Sequence, residues 1–202
     1  MQCVILRTSN DTNNCIQFHK GLKMSMRSTK ARYGAVAITI HWLTAILILV
    51  MLGTGFRGAD MVDPAAKIAI LRIHAIIGIT VLVLTIARII WWLTIDKKPP
   101  AVAGESPLLN KAASAVHGLL YLLVFVVVGS GMAMMILSGA GEILFGGAAR
   151  ALPDFFLYPP RIPHEIAALA LLALFVAHAL AALYHQFIRK DRLLGRMGIG
   201  AQ

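Results

Sequence analysis

The stretch IAALALLALFVAHALAALYHQFI, from Ile166 to Ile188, is an apolar run of 23 residues without Asp, Glu, Lys or Arg. Pro-His-Glu precedes it and Arg-Lys-Asp-Arg follows it, so charged residues mark both of its ends. As a helix with a rise of about 1.5 Å per residue, it is about 35 Å long, which is enough to cross a bilayer. The sequence therefore predicts a membrane-spanning helix here.

Three histidines, His164, His178 and His185, lie on or beside this helix at spacings of 14 and 7 residues. At about 100° per residue both spacings are close to whole turns, so the three imidazoles share one stripe, and His164 and His178 are about 21 Å apart along the axis. One such histidine is most simply a buried neutral ring bonded to a carbonyl. Several histidines arranged by depth on several helices favour a functional site, because ionisable groups are costly in hydrocarbon.

Composition places the whole chain in a membrane. The 202 residues have a mean hydropathy of +0.77 and are 58% hydrophobic, against about 45–50% in soluble proteins. The net charge of +10 would suggest a nucleic-acid partner in a soluble protein. Here the basic residues flank apolar runs, so we expect contact with membrane lipid and none with nucleic acid.

Four helices are predicted, at about residues 35–56, 68–93, 112–137 and 163–189. Residues 1–32 are polar and basic and are predicted to be a disordered tail, in which Met24 or Met26 is a candidate for the true start. Residues 33–192 would form the membrane domain and residues 193–202 a cytoplasmic C-terminal tail. A short interfacial segment is expected between residues 138 and 162.

The distribution of charge gives the expected orientation. Fourteen Lys and Arg residues lie in the two tails and around the linker between the second and third helices, and five lie on the opposite side. By the positive-inside rule the first side is cytoplasmic. The predicted fold is thus an all-α membrane protein, a four-transmembrane-helix bundle with both termini cytoplasmic.

Depth then pairs the histidines. His41 on the first helix falls at the inner depth of His178, and His74 on the second helix falls at the outer depth of His164. Two imidazoles at one depth on facing helices can hold a haem, and small residues would let the porphyrin approach. Glycines that could supply this space, or close helix packing, are Gly53, Gly55, Gly78, Gly129 and Gly131. Structural zinc is the rival, but it usually takes four close ligands rather than two.

Cys3 and Cys15 both precede the predicted membrane domain, and the chain has no C-x-x-C-H sequence for covalent haem attachment. Any haem would be held without a thioether bond, so two b-type haems fit the two levels best.

A set of motifs supports this interpretation. The chain contains R-Y-x7-H-W at residues 32–42, F-R-G at 56–58, I-H-x3-G at 73–78, H-G-L-L-Y-L-L at 117–123, H-E at 164–165 and H-A-L-A-A-L-Y-H-Q-F-x-x-K-D at 178–191. In this order, from about residue 30 to 197, the set resembles the bacterial cytochrome b-561 family.

The resemblance implies a multi-pass protein of the bacterial inner membrane with two haem b groups. Their iron ligands carry over to His41 and His178 for the inner haem and to His74 and His164 for the outer haem. A described member of the family oxidises superoxide on the periplasmic side and reduces ubiquinone, so we expect a superoxide:ubiquinone oxidoreductase. The alternative is an electron-transfer subunit that links a partner dehydrogenase or periplasmic cytochrome to the quinone pool without a substrate site of its own.

Two histidines and a group of cations are left with open roles. His117 and His185 lie toward the cytoplasmic side, where they are candidates for contacts with quinone; otherwise His117 would bind a haem propionate and His185 would be an interfacial residue. A cationic entrance for superoxide is a further hypothesis, formed by Arg57, Lys67, Arg72, Arg150 and Arg161. No catalytic residue is predicted. A haem-free transporter or scaffold is disfavoured because the chain lacks the inverted repeats of transporters.

Overall fold

The computed structural model describes residues 25–101 and 106–200, and all regular structure in them is helical. Four long helices, α1, α2, α3 and α5, are each long and apolar enough to span a membrane, which confirms the predicted all-α four-helix bundle. The elements are α1 (Ala35–Asp60), α2 (Pro64–Thr94), α3 (Pro107–Leu137), α4 (Ala140–Leu144), a 3-10 turn (Phe155–Leu157), α5 (Arg161–Tyr184), a π-helical turn (His185–Arg189) and α6 (Leu193–Arg196).

Two helices begin earlier than hydropathy predicts, because their first turns are specified by capping residues. Asp63 precedes α2, and its side chain accepts a hydrogen bond of 2.8 Å from the amide of Ala66. Ser106 caps α3 in the same way. A proline follows each cap at the first helical position, where its missing N–H costs nothing.

One buried cluster of the core is an apolar layer at mid-depth, which we call the middle layer. All four long helices contribute to it, and its members are Ile48, Leu52, Val81, Val124, Val128 and Leu171. Val81 and Leu171 have no exposed surface at all. Leu171 lies seven residues from both His164 and His178, so about two helical turns, roughly 10 Å, separate the layer from a histidine on either side.

The chain packs as two helical hairpins, α1 with α2 and α3 with α5. The start of α1 and the end of α5 therefore lie at the same end of the bundle, which we call the terminal face; the other end is the loop face. The amide of Tyr33 donates to the carbonyl of Arg196 at 3.1 Å, and the indole of Trp42 donates to that of Met197 at 3.0 Å. Both described ends of the chain thus lie together.

Residues 25–32 belong to the predicted disordered tail, but they form a bonded turn on the terminal face. The carboxylate of Asp96 accepts hydrogen bonds from the amide of Ser28 at 3.0 Å, from its hydroxyl at 2.7 Å and from the indole of Trp91 at 3.2 Å. The amide of Lys97 donates to the same carboxylate at 2.9 Å. Residues 1–24 lie outside the described residues, as do residues 201–202 of the predicted C-terminal tail.

The ionised form of Asp96 should stabilise this turn. Burial raises the pKa of Asp96, but the hydrogen bonds from Ser28, Trp91 and Lys97 outweigh burial and hold the pKa below its ordinary value. The carboxylate therefore contributes stability above about pH 4, its ordinary pKa, and that stability is lost as the pH falls through the lower pKa of the folded protein.

We expect Asp96→Asn to lower the free energy of unfolding in detergent by about 1–3 kcal/mol at neutral pH, because a charged acceptor is lost. The difference from wild type should shrink once the pH is low enough to protonate Asp96. Ser28→Ala should act in the same direction, whereas Ser25→Ala, at an exposed serine of the same segment, serves as the control. Equal stability of wild type and Asp96→Asn at neutral pH would contradict this account.

Candidate functional site

The first pair of histidines faces across the bundle near the loop face. His74 on α2 and His164 on α5 have ring centroids 6.2 Å apart and ring planes at 69°. Nδ1 of His74 is 3.0 Å from the carbonyl oxygen of Met51 on α1, and Nδ1 of His164 is 2.9 Å from that of Val127 on α3. Because a carbonyl only accepts, each Nδ1 carries the proton and each Nε2 keeps the lone pair that binds a metal.

The same three groups surround each ring of this outer pair. Four residues after the carbonyl-bearing residue comes a glycine, Gly55 on α1 and Gly131 on α3. A Cβ on either glycine would lie 3.0 Å from Cε1 of the adjacent imidazole. Between them, the hydroxyls of Thr54 and Ser130 each lie 3.3 Å from the same Nδ1. The two hairpins thus repeat one cradle.

The other predicted glycines do not contact a histidine in this way. A Cβ on Gly78 would meet the sulfur of Met51 at 3.5 Å, while Gly53 and Gly129 have nothing within 4 Å of that position. Of the five, only Gly55 and Gly131 line an imidazole, and Gly78 serves helix packing.

The second pair lies on the terminal side of the middle layer. His41 on α1 and His178 on α5 have ring centroids 6.4 Å apart and ring planes at 73°. Here the partner of Nδ1 is not a carbonyl: Nη1 of Arg88 on α2 lies 2.9 Å from Nδ1 of His41. The structure therefore brings together both predicted pairs, and their role as iron ligands stays a prediction.

The spacing of both pairs fits a metal bound between imidazoles. A metal about 2 Å from each of two ring nitrogens would hold the ring centroids about 6 Å apart. The glycine cradles admit an unhindered ring on the outer pair, and no further His, Cys, Asp or Glu in the described residues completes a compact metal cluster. Two imidazole nitrogens without other protein ligands would suit a haem, whose porphyrin would supply the remaining iron ligands.

His117 and His185 both lie on the terminal side of the middle layer, but in different settings. The ring centroid of His117 is 5.2 Å from that of His178, and its Nδ1 donates to the carbonyl of Ala113 on its own helix. His185 begins the π-helical turn, and its Nδ1 pairs with a carboxylate oxygen of Asp191 at 2.5 Å. π-helical turns are rare and often occur at functional sites.

A cavity of about 1170 Å³ opens from the outer pair toward the loop face. Its charged lining is balanced, with three cations and three carboxylates: Lys67, Arg150, Arg161, Asp60, Asp154 and Glu165. Arg161 pairs with Glu165 at 2.8 Å, and Arg150 pairs with Glu142 at 2.7 Å. Of the predicted cationic entrance, Arg57 and Arg72 do not line this cavity.

The fold and the paired imidazoles define a helical membrane protein whose bundle can hold metal cofactors between facing helices. Comparison with known families is more specific, because the model of the prokaryotic cytochrome b561 family matches residues 32–200. The chain therefore belongs to the prokaryotic cytochrome b561 family, as the motifs predicted. It is a multi-pass bacterial membrane protein of electron transfer, and the family implies haem b.

Individual relatives agree with this assignment. Cytochrome b562 of Cereibacter sphaeroides is 34% identical over 172 residues, covering 82% of this chain and 94% of that protein. Cytochrome b561 homolog 2 of Escherichia coli is 32% identical over 190 residues, covering 86% and 95%. The probable superoxide oxidase CybB of Yersinia pestis is 32% identical over 176 residues, covering 82% and 95%.

Sequence reasoning left several contacting groups without a role. The carbonyls of Met51 and Val127 could not be found, because backbone acceptors leave no mark in a sequence. Two of these groups could have been found from the sequence. Arg88 is a cation within an apolar run, and Asp191 ends the motif that contains His185.

We expect Gly131→Val to lower the haem content of the purified protein, because the new side chain meets His164 at 3.0 Å and must displace it from Val127. Gly129→Val is a matched control on the same helix, at a position with nothing within 4 Å. The measurement is pyridine haemochrome quantitation per chain. If both variants have the haem content of the wild type, the role of Gly131 in positioning His164 is refuted.

Proposed function

We propose that the chain is a di-haem b-type cytochrome that carries electrons across the bacterial inner membrane, from superoxide on the periplasmic side to ubiquinone. The observation that carries the proposal is the presence of two imidazole pairs, 6.2 and 6.4 Å across, on opposite sides of the middle layer. His74 and His164 hold the outer haem, and His41 and His178 hold the inner one. Each bound haem supplies reversible one-electron chemistry at its depth.

Charge supports the orientation. In the sequence, fourteen Lys and Arg residues lie in the two tails and around the linker between α2 and α3, against five on the opposite side. The positive-inside rule then makes the terminal face cytoplasmic and both termini cytoplasmic. The outer pair and its cavity open to the periplasm, where superoxide would arrive.

Superoxide is the donor that the similarity to the superoxide oxidase of Yersinia pestis favours. Two superoxide anions lose one electron each to become dioxygen, and one ubiquinone takes up the two electrons with two protons to become ubiquinol. Lys67, Arg150 and Arg161 offer local positive charge at the cavity. Their carboxylate neighbours leave no net cationic funnel, so steering of the anion should be weak.

The pair formed by His185 and Asp191 is the candidate proton donor to the quinone. His185 lies about 10 Å from His178 along the helix axis, at the terminal face, where protons would come from the cytoplasm. The carboxylate orients the imidazole through Nδ1. His117, beside His178, is the second candidate for a contact with quinone or with a propionate.

A second function is an electron-transfer subunit that serves a partner dehydrogenase or a periplasmic cytochrome and has no substrate site of its own. The balanced charge around the cavity favours it, because a site that collects an anion usually has a net positive potential.

Haem ligation is tested by single alanine variants of the four histidines. We expect two haem b per wild-type chain and the loss of one in each variant, with His74→Ala and His164→Ala giving one optical spectrum and His41→Ala and His178→Ala another. His117→Ala and His185→Ala are the histidine controls and should retain both haems. A wild-type chain with a single haem, or losses that do not follow the pairs, would end the two-haem proposal.

Substrate is tested with the purified, haem-loaded wild-type protein, an enzymatic superoxide source and a short-chain ubiquinone. We expect ubiquinol to form faster than spontaneous dismutation allows, and superoxide dismutase should abolish it. His185→Ala should keep both haems. The rate of superoxide oxidation by this variant should fall only when quinone is the electron acceptor. Haem-loaded protein that is inactive alone and active only with a co-purifying redox protein would establish the second function instead.

A further inference from the structure

Arg88 is a cation inside the bundle. Its contacts within the described residues include no carboxylate that would neutralise its charge. It lies on α2 seven residues beyond Val81, which itself lies seven residues beyond His74, so the three side chains share one stripe. Arg88 is therefore at the depth of the inner pair, on the terminal side of the middle layer. A charged side chain at such a place is costly and needs a partner.

The protein supplies Arg88 with only weak compensation. Nη1 donates to Nδ1 of His41 at 2.9 Å, and Nε is buried without a hydrogen-bond partner. No ion pair joins Arg88 to a carboxylate within the described residues. Among the described residues, the two carboxylates of the terminal face are already engaged, Asp96 by Ser28 and Asp191 by His185.

The contact with His41 also conflicts with metal binding. A guanidinium only donates, so Nδ1 of His41 accepts and the proton of the neutral ring is on Nε2. His74 and His164 have the opposite arrangement, with the proton on Nδ1 and Nε2 ready to ligate. For His41 to bind iron through Nε2 as a neutral imidazole, its proton must move to Nδ1, and Arg88 must then turn to another acceptor.

We propose that this acceptor is a propionate carboxylate of the haem held by His41 and His178, which makes Arg88 the anchor of the inner haem. The inference rests on the proposed two-haem function. A guanidinium presents two parallel N–H groups to a carboxylate, a geometry that lysine cannot offer. The unpaired Nε provides one donor and the terminal guanidinium nitrogens provide the others, and the carboxylate provides the counter-charge that the bundle lacks.

The charge has a second effect, on the inner haem's affinity for an electron. A nearby cation favours the reduced state, because reduction lowers the positive charge on the iron. Arg88→Gln should therefore shift one of the two midpoint potentials downward and leave the other unchanged. Lys111→Gln, which removes an exposed cation at the start of α3 on the same face, is the matched control and should leave both potentials in place.

The decisive test compares protoporphyrin haem with its dimethyl ester, which lacks the free carboxylates. Haem-depleted wild-type protein, reconstituted with either compound, should bind the ester about tenfold more weakly at the inner site. Arg88→Gln should lose most of this discrimination, and Lys111→Gln should retain it. The readouts are haem stoichiometry and redox titration, so neither depends on superoxide or quinone turnover.

The outcomes separate the two proposals. A wild-type chain with one haem overturns the two-haem function and, with it, this inference. Two haems in wild type, with Arg88→Gln keeping both potentials and full discrimination against the ester, overturns the role of Arg88 alone. If Arg88→Gln does not fold, Arg88→Lys preserves the charge; it should hold both haems with reduced discrimination, and discrimination equal to wild type would overturn the inference.

Discussion

The structure at the loop face depends on one constraint: each imidazole of the outer pair has its hydrogen-bond partner on a neighbouring helix. Nδ1 of His74 finds it in the carbonyl of Met51, and Nδ1 of His164 finds it in that of Val127. Each bond fixes the ring's tautomer and joins the two helices of a hairpin at a set height. The glycine four residues after each carbonyl follows from this, because a side chain there would strike the ring.

The repeat of this cradle on two hairpins makes the bundle nearly symmetric at the loop face, and the symmetry ends beyond the middle layer. On the terminal side His41 meets the cation Arg88 instead of a carbonyl, and His178 has a second imidazole, that of His117, beside it. The two histidine pairs have almost the same separation, but a ring of the inner pair contacts a cation where both rings of the outer pair contact carbonyls. If each pair holds a haem, as we propose, this difference would give the two haems unequal affinities for an electron.

Hydropathy and helical periodicity were enough to predict the four helices and the depth at which each histidine lies, because both depend only on residue type and spacing. The contacts that join distant segments could not be predicted. Ser28 and Asp96 are 68 residues apart in the chain, and nothing in the sequence of either segment indicates that the two are in contact. The helix starts at Pro64 and Pro107 were missed because hydropathy identifies only the apolar part of a helix. The caps depend on hydrogen bonds made by polar residues outside that part.

The middle layer has a consequence for the energy that a membrane stores. Ile48, Val81, Val124 and Leu171 present only hydrocarbon between the two pairs, and the hydroxyl of buried Thr85 nearby is bonded to the carbonyl of Val81 on its own helix. A proton moves through protein along a chain of hydrogen-bonding groups, which these side chains do not offer, while an electron can tunnel across saturated packing. With haems at the two pairs, as we propose, the bundle would carry electrons but not protons, so that electron transfer would not discharge the proton gradient.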